Sequence, residues 1–445
     1  MIRMIPCLSA QSAKSYFADS LSRADYYLDD LELTGKLQGL LTSRLGLDGE
    51  ITRKAFHALC DNRHPVTGER LGARTKDNRR IGYDINFHCP KSVSILHGLS
   101  KDEHLRLAFE AAVATTMREI ERGVKTRIRK AGSNEDRQTG ELIWADFTHL
   151  TARPVEGFTP DPHLHAHCFV WNLTYDAVED QIKAGQFGDI KRDMPFYQAM
   201  FHKRLSDGLI ELGYQIRRTD KSFEVVGVPS RVLDLFSKRT DAIGRFAKEH
   251  GITDAQTLDG LGARTRAKKQ KGLTMSELKA EWRRQILALG PDEDGDGNQA
   301  IRFAPVVTRT NLTAQQCVDH ALLHGFERAS VLAERRLLQA AFRHGMSYAA
   351  VSVESITEAF AADTRILRVK EQGRLLCTTR EVLAEEQRMV DLARAGFGQL
   401  LPLYLQAPDI ALDGQQGDAL RHVLTTPHRV SIVRGAAGTG KTTLL

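Results

Sequence analysis

The chain has 445 residues, of which 42% are hydrophobic and 27% are charged, and this balance is typical of a folded globular protein. Its length predicts two or three domains, and it has neither an apolar run of about 18 residues nor a signal-peptide core, so we expect no membrane insertion. The net charge of +6 permits a nucleic-acid partner without requiring one, and six scattered cysteines without a C-x-x-C pair indicate reduced thiols in a cytoplasm.

Tyrosines are concentrated near the N-terminus, where three of the nine in the chain lie at Tyr16, Tyr26 and Tyr27. Tyrosines near a predicted helix start usually belong to the core or to an interface. A phenol becomes a nucleophile only where a cation or a base helps to remove its proton, because its pKa is about 10. A nucleophilic role for these tyrosines therefore depends on what the rest of the chain places beside them.

The segment Ile81–Phe87 alternates in polarity and predicts a strand. Asp84 lies within it, and a charged residue inside an apolar strand indicates either a solvated face or a polar site. Residues Asp102–Arg129 predict one long amphipathic helix. The basic run at its end, Lys125–Lys130, and a second run, Arg264–Lys271, are typical either of solvated helix ends or of phosphate contacts.

Three histidines alternate in the stretch P-H-L-H-A-H, at His163, His165 and His167. Alternate residues of a strand point to one face, so the imidazoles form a row, but its outer members are about 13 Å apart and would share one ion only with strain. A predicted strand, Leu142–Phe147, leads to His149, which would join the row if the two strands pair antiparallel. Three neutral imidazoles leave coordination positions open for water or a phosphate oxygen. A chance surface row, a zinc hydrolase and a cupin-like metal site are alternatives at this stage.

The C-terminal part begins after a polar, turn-rich segment, Gly290–Asn298, which predicts a linker. Residues 310–400 are predicted to be mainly helical. An apolar strand, Val430–Val433, is predicted to precede G-A-A-G-T-G-K-T, which matches a phosphate-binding loop, and Gln416 resembles the adenine-reading glutamine of superfamily 1 helicases. The residues that would bind a nucleotide are Gly435, Gly438, Gly440, Lys441 and Thr442.

Taken in order, the motifs of the first 300 residues resemble those of MobF-type conjugative relaxases. The residues that carry the resemblance are Tyr16, Tyr26, Tyr27, Tyr83–Ser94, His149, Arg153 and Pro162–His167. The resemblance implies an α/β (α+β) chain with an HUH-type domain, in which helices flank a central antiparallel sheet. It also implies site- and strand-specific nicking of single-stranded DNA at an origin of transfer, with a tyrosine joined to the 5′ phosphate. A rolling-circle replication initiator and a DNA-binding regulator with a degenerate site are the alternatives.

The resemblance also assigns a role to each of these positions. The implied roles are first nucleophile for Tyr16, second nucleophile for Tyr26 or Tyr27, base or histidine orienter for Asp84, contact to the scissile phosphate for Arg153, and ligands of a divalent ion for His149, His165 and His167. The ion would be Mg²⁺ or Mn²⁺ by resemblance, although imidazoles also suit other transition metals. Two positions depart from the usual pattern: Phe17 replaces the second member of a tyrosine pair, and His163 replaces a common amide residue and would contact DNA or support the metal shell.

The same resemblance predicts three regions. These are an HUH-type relaxase domain over 1–300, a mainly helical N-terminal region of the helicase part over 301–400, and the start of a truncated superfamily 1 motor over 401–445. We therefore expect a piece of a relaxase–helicase, in which ATP and Mg²⁺ serve only the full-length helicase and this chain does not hydrolyse ATP. The implied partners are single-stranded DNA at the origin of transfer, other relaxosome proteins and secretion-coupling proteins, in the bacterial cytoplasm.

Overall fold

The structure is a computed structural model with a mixed α/β architecture. It describes residues 1–18, 35–47, 49–73, 79–100, 102–129, 132, 134–152, 154–155, 157–252, 274–290, 311–412 and 414–436. The strands are β1 (Ile2–Cys7), β2 (Gly35–Gln38), β3 (Glu50–Ile51), β4 (Gly82–His88), β5 (Lys125–Ile128), β6 (Glu135–Gln138), β7 (Trp144–Thr151), β8 (Pro162–Trp171), β9 (Thr174–Asp176), β10 (Gln181–Lys183), β11 (Gly185–Gln186), β12 (Ile216–Arg218), β13 (Phe223–Val225), β14 (Leu332–Ala333), β15 (Ile366–Glu371) and β16 (Arg374–Thr379). The helices are α1 (Ala10–Tyr16), α2 (Leu40–Arg44), α3 (Arg53–Cys60), α4 (Lys91–Leu99), α5 (His104–Arg122), α6 (Gly188–Arg192), α7 (Met194–Glu211), α8 (Ser230–Leu235), α9 (Lys238–Glu249), α10 (Met275–Leu287), α11 (Ala314–Gly325), α12 (Glu334–Gly345), α13 (Val353–Ala362), α14 (Arg380–Ala395) and α15 (Gly414–Thr425).

A six-stranded antiparallel sheet forms the centre of the first part of the chain, with strand order β1-β4-β8-β7-β2-β3. One face of this sheet is apolar, and helices α4, α5 and α7 pack against it. The predicted alternation places Ile85 and Phe87 of β4 on this face, where both are buried. Phe201 of α7 contacts Phe87 edge-on, with ring centres 5.2 Å apart. The sheet is therefore anchored on its helical side by β-branched and aromatic side chains.

The opposite face of the sheet is divided between a second core and a polar site. Helices α1 and α3 cover the core, in which Phe17 stacks on Phe56 with ring centres 4.2 Å apart. Phe56 in turn packs against Phe169 and Trp171, at the C-terminal end of β8. The N-terminal half of β8 carries the histidine row on the same face. Core and polar site thus share one surface of the sheet, and α1 lies at the border between them.

The long helix predicted after β4 is shorter in the structure. The helix predicted over Asp102–Arg129 ends at Arg122, because Gly123 caps it and the β-branched residues that follow favour an extended chain. The basic run then begins in a strand, Lys125–Ile128, which pairs with β6 and β11. The second basic run, Arg264–Lys271, lies outside the described residues.

The chain divides into two compact units. The first comprises Met1–Ala321 with Arg335–Ala361, and the second comprises Leu322–Glu334 with Ala362–Leu445. Within the second unit, a three-stranded antiparallel sheet of order β14-β16-β15 lies in the region predicted to be mainly helical. The predicted boundaries at residues 300 and 400 stay predictions, and the predicted linker lies mostly outside the described residues.

The strand predicted over Val430–Val433 is not formed in the described part of the second unit. A strand needs a neighbour with which its backbone can hydrogen-bond, and no described segment pairs with these residues. Ile432 is accordingly 87% exposed. Of the predicted nucleotide-binding residues, Gly435 is described and the other four lie outside the described residues. Across the described ranges, no helix combines the length and the apolar character that a membrane span requires.

Candidate active site

Helix α1 ends at Tyr16 and places this residue at the border of the polar site. The helix begins at Ser9, whose hydroxyl accepts a hydrogen bond from the backbone N–H of Ser12 at 3.3 Å. Near its end, Lys14 pairs with Asp61, just after α3, at 2.7 Å. Phe17, which follows Tyr16, is 3% exposed and lies in the aromatic core. Burial of Phe17 therefore fixes the end of α1, and Tyr16 is the member of this pair that contacts the polar groups.

The hydroxyl of Tyr16 meets a carboxylate and an imidazole. It donates a hydrogen bond to Asp84 Oδ2 at 2.6 Å and lies 3.0 Å from His167 Nδ1. His167 Nδ1 is also 2.9 Å from Asp84 Oδ2, so the N–H of this imidazole is on Nδ1 and its Nε2 carries the lone pair. Asn86 lies beside them, and in its favoured orientation its amide N–H donates to Asp84 Oδ1 at 2.7 Å. Asp84 can thus accept a proton from the phenol while it orients the histidine.

Strand register explains how these side chains meet. Asn86 of β4 and Phe147 of β7 both lie opposite His167, and His88 of β4 and His149 of β7 both lie opposite His165. Directly opposed residues of an antiparallel pair share one face. β7 and β8 pair antiparallel, which is the condition under which His149 joins the histidine row.

The imidazoles of His149, His165 and His167 form a cluster with nearly equal spacings, which we call the three-imidazole cluster. Their ring centres are 5.3 Å apart for His149 and His165, 5.3 Å for His165 and His167, and 5.4 Å for His149 and His167. Imidazoles bound to one tetrahedral ion, with metal–nitrogen bonds of about 2.1 Å, have ring centres about 5 Å apart. The spacing of the three rings therefore fits one ion.

The protonation of His165 also suits a metal. His165 Nδ1–H donates to the carbonyl oxygen of His163 at 2.9 Å, so Nε2 carries the lone pair that can bind a metal ion. Burial lowers the pKa of His165 well below its usual value, and neighbouring histidines lower it further. This imidazole is therefore neutral, as a metal ligand must be. Within the described ranges, no group of three or more His, Cys, Asp or Glu side chains is arranged so that it could hold a metal ion as it stands, so binding would require at least one of the three rings to turn.

Several predicted site residues lie outside the described residues, namely Tyr26, Tyr27 and Arg153. The roles assigned to all the site residues stay predictions. Sequence reasoning did not single out Asn86 and His88 as parts of this face. The signal was available, because both residues continue the alternation that begins at Asp84, but their contacts depend on the β4–β8 register.

Two serines of the segment Tyr83–Ser94, which carries part of the family resemblance, form hydrogen bonds with the backbone of neighbouring strands. The hydroxyl of Ser92 accepts from the backbone N–H of Val225 at 2.8 Å, and that of Ser94 accepts from the backbone N–H of Leu164 at 3.0 Å. Both hydroxyls therefore tie α4 to neighbouring strands, and one of them holds the strand that carries the histidine row.

A family model described as TrwC relaxase matches residues 10–289, more than half of the chain. The chain therefore belongs to the TrwC relaxase family, and the resemblance found in its motifs is confirmed. A second model, described as an AAA domain, matches residues 411–445. The central antiparallel sheet flanked by helices agrees with this assignment, so the expected fold class is confirmed.

Particular relatives include the multifunctional conjugation protein TraI of Escherichia coli strain K12. It is 29% identical over 327 residues, which cover 71% of this chain and 18% of TraI. The chain thus spans about a fifth of the length of the curated relatives it matches. Solved structures of the conjugative relaxase TrwC in complex with oriT DNA, one metal-bound and one copper-bound, each match with a TM-score of 0.57 and 28% identity, covering 66% of this chain and 99% of theirs.

Proposed function

We propose that this chain is a tyrosine-dependent DNA strand transferase that nicks single-stranded DNA at an origin of transfer for conjugation. The observation that carries the proposal is the contact of the Tyr16 hydroxyl with both Asp84 and His167, one member of the three-imidazole cluster. A phenol held against a base and beside a cation site is the arrangement that makes tyrosine nucleophilic. Membership of the TrwC relaxase family supports the same reaction class.

The proposed reaction is an in-line transfer of one phosphoryl group. Tyr16 Oη attacks the scissile phosphorus as its proton passes to Asp84, the bond from phosphorus to the 3′ oxygen breaks, and that oxygen leaves and takes up a proton. The products are a 5′-phosphotyrosine and a free 3′ hydroxyl. One phosphodiester replaces another, so the step is reversible and the same site can rejoin the strand.

The three-imidazole cluster would hold a divalent ion, with His149, His165 and His167 as ligands. The spacings of the three rings fit this group, and solved structures of TrwC include metal-bound and copper-bound forms. Such an ion would stabilise negative charge on the non-bridging phosphate oxygens. Imidazole ligands favour Mn²⁺ or a later transition metal over Mg²⁺.

The remaining roles belong to the same proposal. Tyr26 or Tyr27 would serve a second strand transfer, and Arg153 would contact the scissile phosphate. The AAA match at residues 411–445 supports an ATP- and Mg²⁺-dependent helicase region in a longer protein. The TraI relatives, described as multifunctional conjugation proteins, support a role in conjugation. Relaxosome and secretion-coupling partners and a bacterial cytoplasm complete the proposal.

A denaturing gel tests the proposal. The purified chain is mixed with Mn²⁺ and labelled single-stranded oligonucleotides from the origin of transfer of its own element, and we expect a metal-dependent covalent band that Tyr16→Phe abolishes. Tyr175→Phe is a matched control, because the Tyr175 hydroxyl also donates to a carboxylate, Asp180, away from the site. An unchanged band in Tyr16→Phe would refute the assigned nucleophile. A band formed with a replication origin in place of the transfer origin would favour a rolling-circle initiator.

A further inference from the structure

His88 and His163 form a hydrogen-bonded pair beside the three-imidazole cluster. His88 Nδ1 lies 3.0 Å from His163 Nε2, and the ring centres are 5.1 Å apart with planes inclined by 22°. The two histidines come from different strands, β4 and β8, and neither is assigned a role by the proposed reaction. Their contact therefore calls for a separate explanation.

The pair lies against one member of the cluster, His165. His88 is directly opposite His165 in the β4–β8 register, and the two rings are within 11° of parallel with centres 5.5 Å apart. The ring centre of His163 is 4.6 Å from that of His165, and the His163 carbonyl accepts the N–H of His165. His149 flanks His165 from the other neighbouring strand, at 5.3 Å. His165 is thus enclosed by imidazoles on both sides.

Enclosure of this kind restricts the side-chain torsions of a ligand. An imidazole on the open part of a sheet loses rotamer freedom when it binds an ion, and neighbours that already hold the ring remove part of that cost. The hydrogen bond between His88 and His163 fixes both neighbours at once. Replacing an outer-shell residue that orients a metal ligand commonly changes the metal affinity by 10–100-fold.

We propose that the His88–His163 pair positions His165 for metal binding and sets the affinity of the site without ligating the ion. The inference rests on the proposed function, because it presupposes that His149, His165 and His167 hold an ion. His88 and His163 are positioning residues in this assignment. The geometry of their hydrogen bond provides a specific test, since it joins a δ nitrogen to an ε nitrogen.

The test measures Mn²⁺ binding to the full chain without DNA, with free Mn²⁺ followed by EPR. An asparagine amide nitrogen occupies nearly the position of a histidine Nδ1, and a glutamine amide nitrogen that of an Nε2. His88→Asn and His163→Gln therefore keep the hydrogen bond, whereas His88→Gln and His163→Asn misplace it. We expect near-native affinity for the first two variants and a loss of about tenfold or more for the second two.

Matched controls separate positioning from other effects. His250→Ala should bind Mn²⁺ like the native chain, because His250 follows the end of α9, where its Nδ1 bonds to the Phe246 carbonyl and its ring stacks on Phe246. His88→Ala should weaken binding, yet the Cu²⁺ EPR spectrum should keep the same number of coordinated imidazole nitrogens. The amide comparison still decides if an alanine variant fails to fold, since each pair of amide variants is matched in chemistry.

Two results would overturn the inference. Equal Mn²⁺ affinity for His88→Asn and His88→Gln would show that the hydrogen bond does not position the ligand. Loss of one coordinated nitrogen in His88→Ala would make His88 a ligand. Native Mn²⁺ affinity in His149→Ala would instead refute the proposed metal site itself, and the two failures are thereby distinguished.

Discussion

At the scale of single residues, the site depends on a few polar groups placed on an otherwise apolar sheet. Asp84 is 5% exposed and accepts hydrogen bonds from Tyr16 and from the imidazole N–H of His167. A buried carboxylate is costly unless such donors surround it. The same donors that make its burial possible also place the phenol where a proton can be transferred.

Asp84→Asn tests the transfer of that proton. The amide still accepts a hydrogen bond but cannot take up a proton, so we expect the single-turnover rate of covalent adduct formation to fall about 10²–10⁴-fold. The measurement is a quenched time course with origin DNA and Mn²⁺. Asp180→Asn, which alters the matched pair with Tyr175, should leave the rate unchanged. A native rate in Asp84→Asn would reduce Asp84 to a structural role.

The buried carboxyl of Asp146 should make the stability of the folded chain depend on pH, independently of the proposed strand transfer. Burial raises the pKa of its carboxyl to about 6, and in the described part of the chain Oδ1 has no hydrogen-bond partner. The folded state therefore holds this proton more tightly than the unfolded state does. The corresponding stability is present below about pH 4 and is lost as the pH rises through about 6.

Asp146→Asn removes this effect. Near pH 8 we expect the variant to be more stable than the native chain by about 3 kcal/mol, and near pH 4 we expect the difference to vanish. Urea unfolding at the two pH values measures both quantities. A variant that is less stable than the native chain near pH 8 would show that the ionised carboxylate is stabilised after all.

At the scale of elements, helix α10 holds the segment that leads into the histidine strand. Trp282 is 1% exposed and its indole N–H donates to the carbonyl oxygen of Pro160 at 2.8 Å. Its ring packs so closely on Gly98 of α4 that a Cβ there would lie 2.9 Å from it. A capping box between Thr274 and Glu277 begins the helix. The last turn before β8 is thus fixed by a residue far away in the sequence.

Trp282→Ala should release that segment. We expect a loss of about 3–5 kcal/mol in urea unfolding, because a large buried ring leaves a cavity. Trp282→Phe fills most of the cavity but lacks the donor, so a smaller loss is expected. Limited proteolysis should cut the alanine variant faster between residues 152 and 161. Native resistance there would mean that α10 does not hold the segment.

The sequence predicted single elements better than the contacts between them. Alternation in Ile81–Phe87 and in the histidine row was enough to predict both strands, whereas the antiparallel pairing that brings His149 to the row entered only as a condition. The tie between His88 and His163 was not foreseen, because it requires the register of two strands about 75 residues apart, and local patterns do not encode register. The burial of Phe17 could not be predicted either, because a phenylalanine after Tyr16 is compatible both with an active site and with a hydrophobic core.

At the scale of the whole molecule, the first unit includes helical residues from beyond the predicted boundary at residue 300. Lys203 of α7 is fully buried, pairs with Asp207 and donates to the carbonyl oxygen of Tyr348 at 3.3 Å. Arg335 also pairs with Asp193 at 2.9 Å. Segment Arg335–Ala361 therefore completes the environment of a buried ion pair.

A comparison of two shortened chains tests whether the segment Arg335–Ala361 stabilises the first unit. A chain that ends at residue 300 uncovers the Lys203–Asp207 pair, whereas a chain that ends at residue 361 keeps it covered. We expect the shorter chain to unfold at least about 5 °C lower, and to form the covalent DNA adduct at a similar rate once folded. Equal midpoints in thermal unfolding would support the boundary predicted at residue 300.

The β7–β8 register also bears on how such a chain can change in evolution. One residue inserted between His165 and His167 would turn one of these two side chains to the opposite face and so separate it from the other ligands of the cluster. Extra residues beside Gly157 and Phe158, which lie outside the pairing of β7 with β8, would leave that pairing in place. Descendants of one ancestor should therefore differ freely in the length of this connection, while the spacing within the histidine strand admits no insertion or deletion.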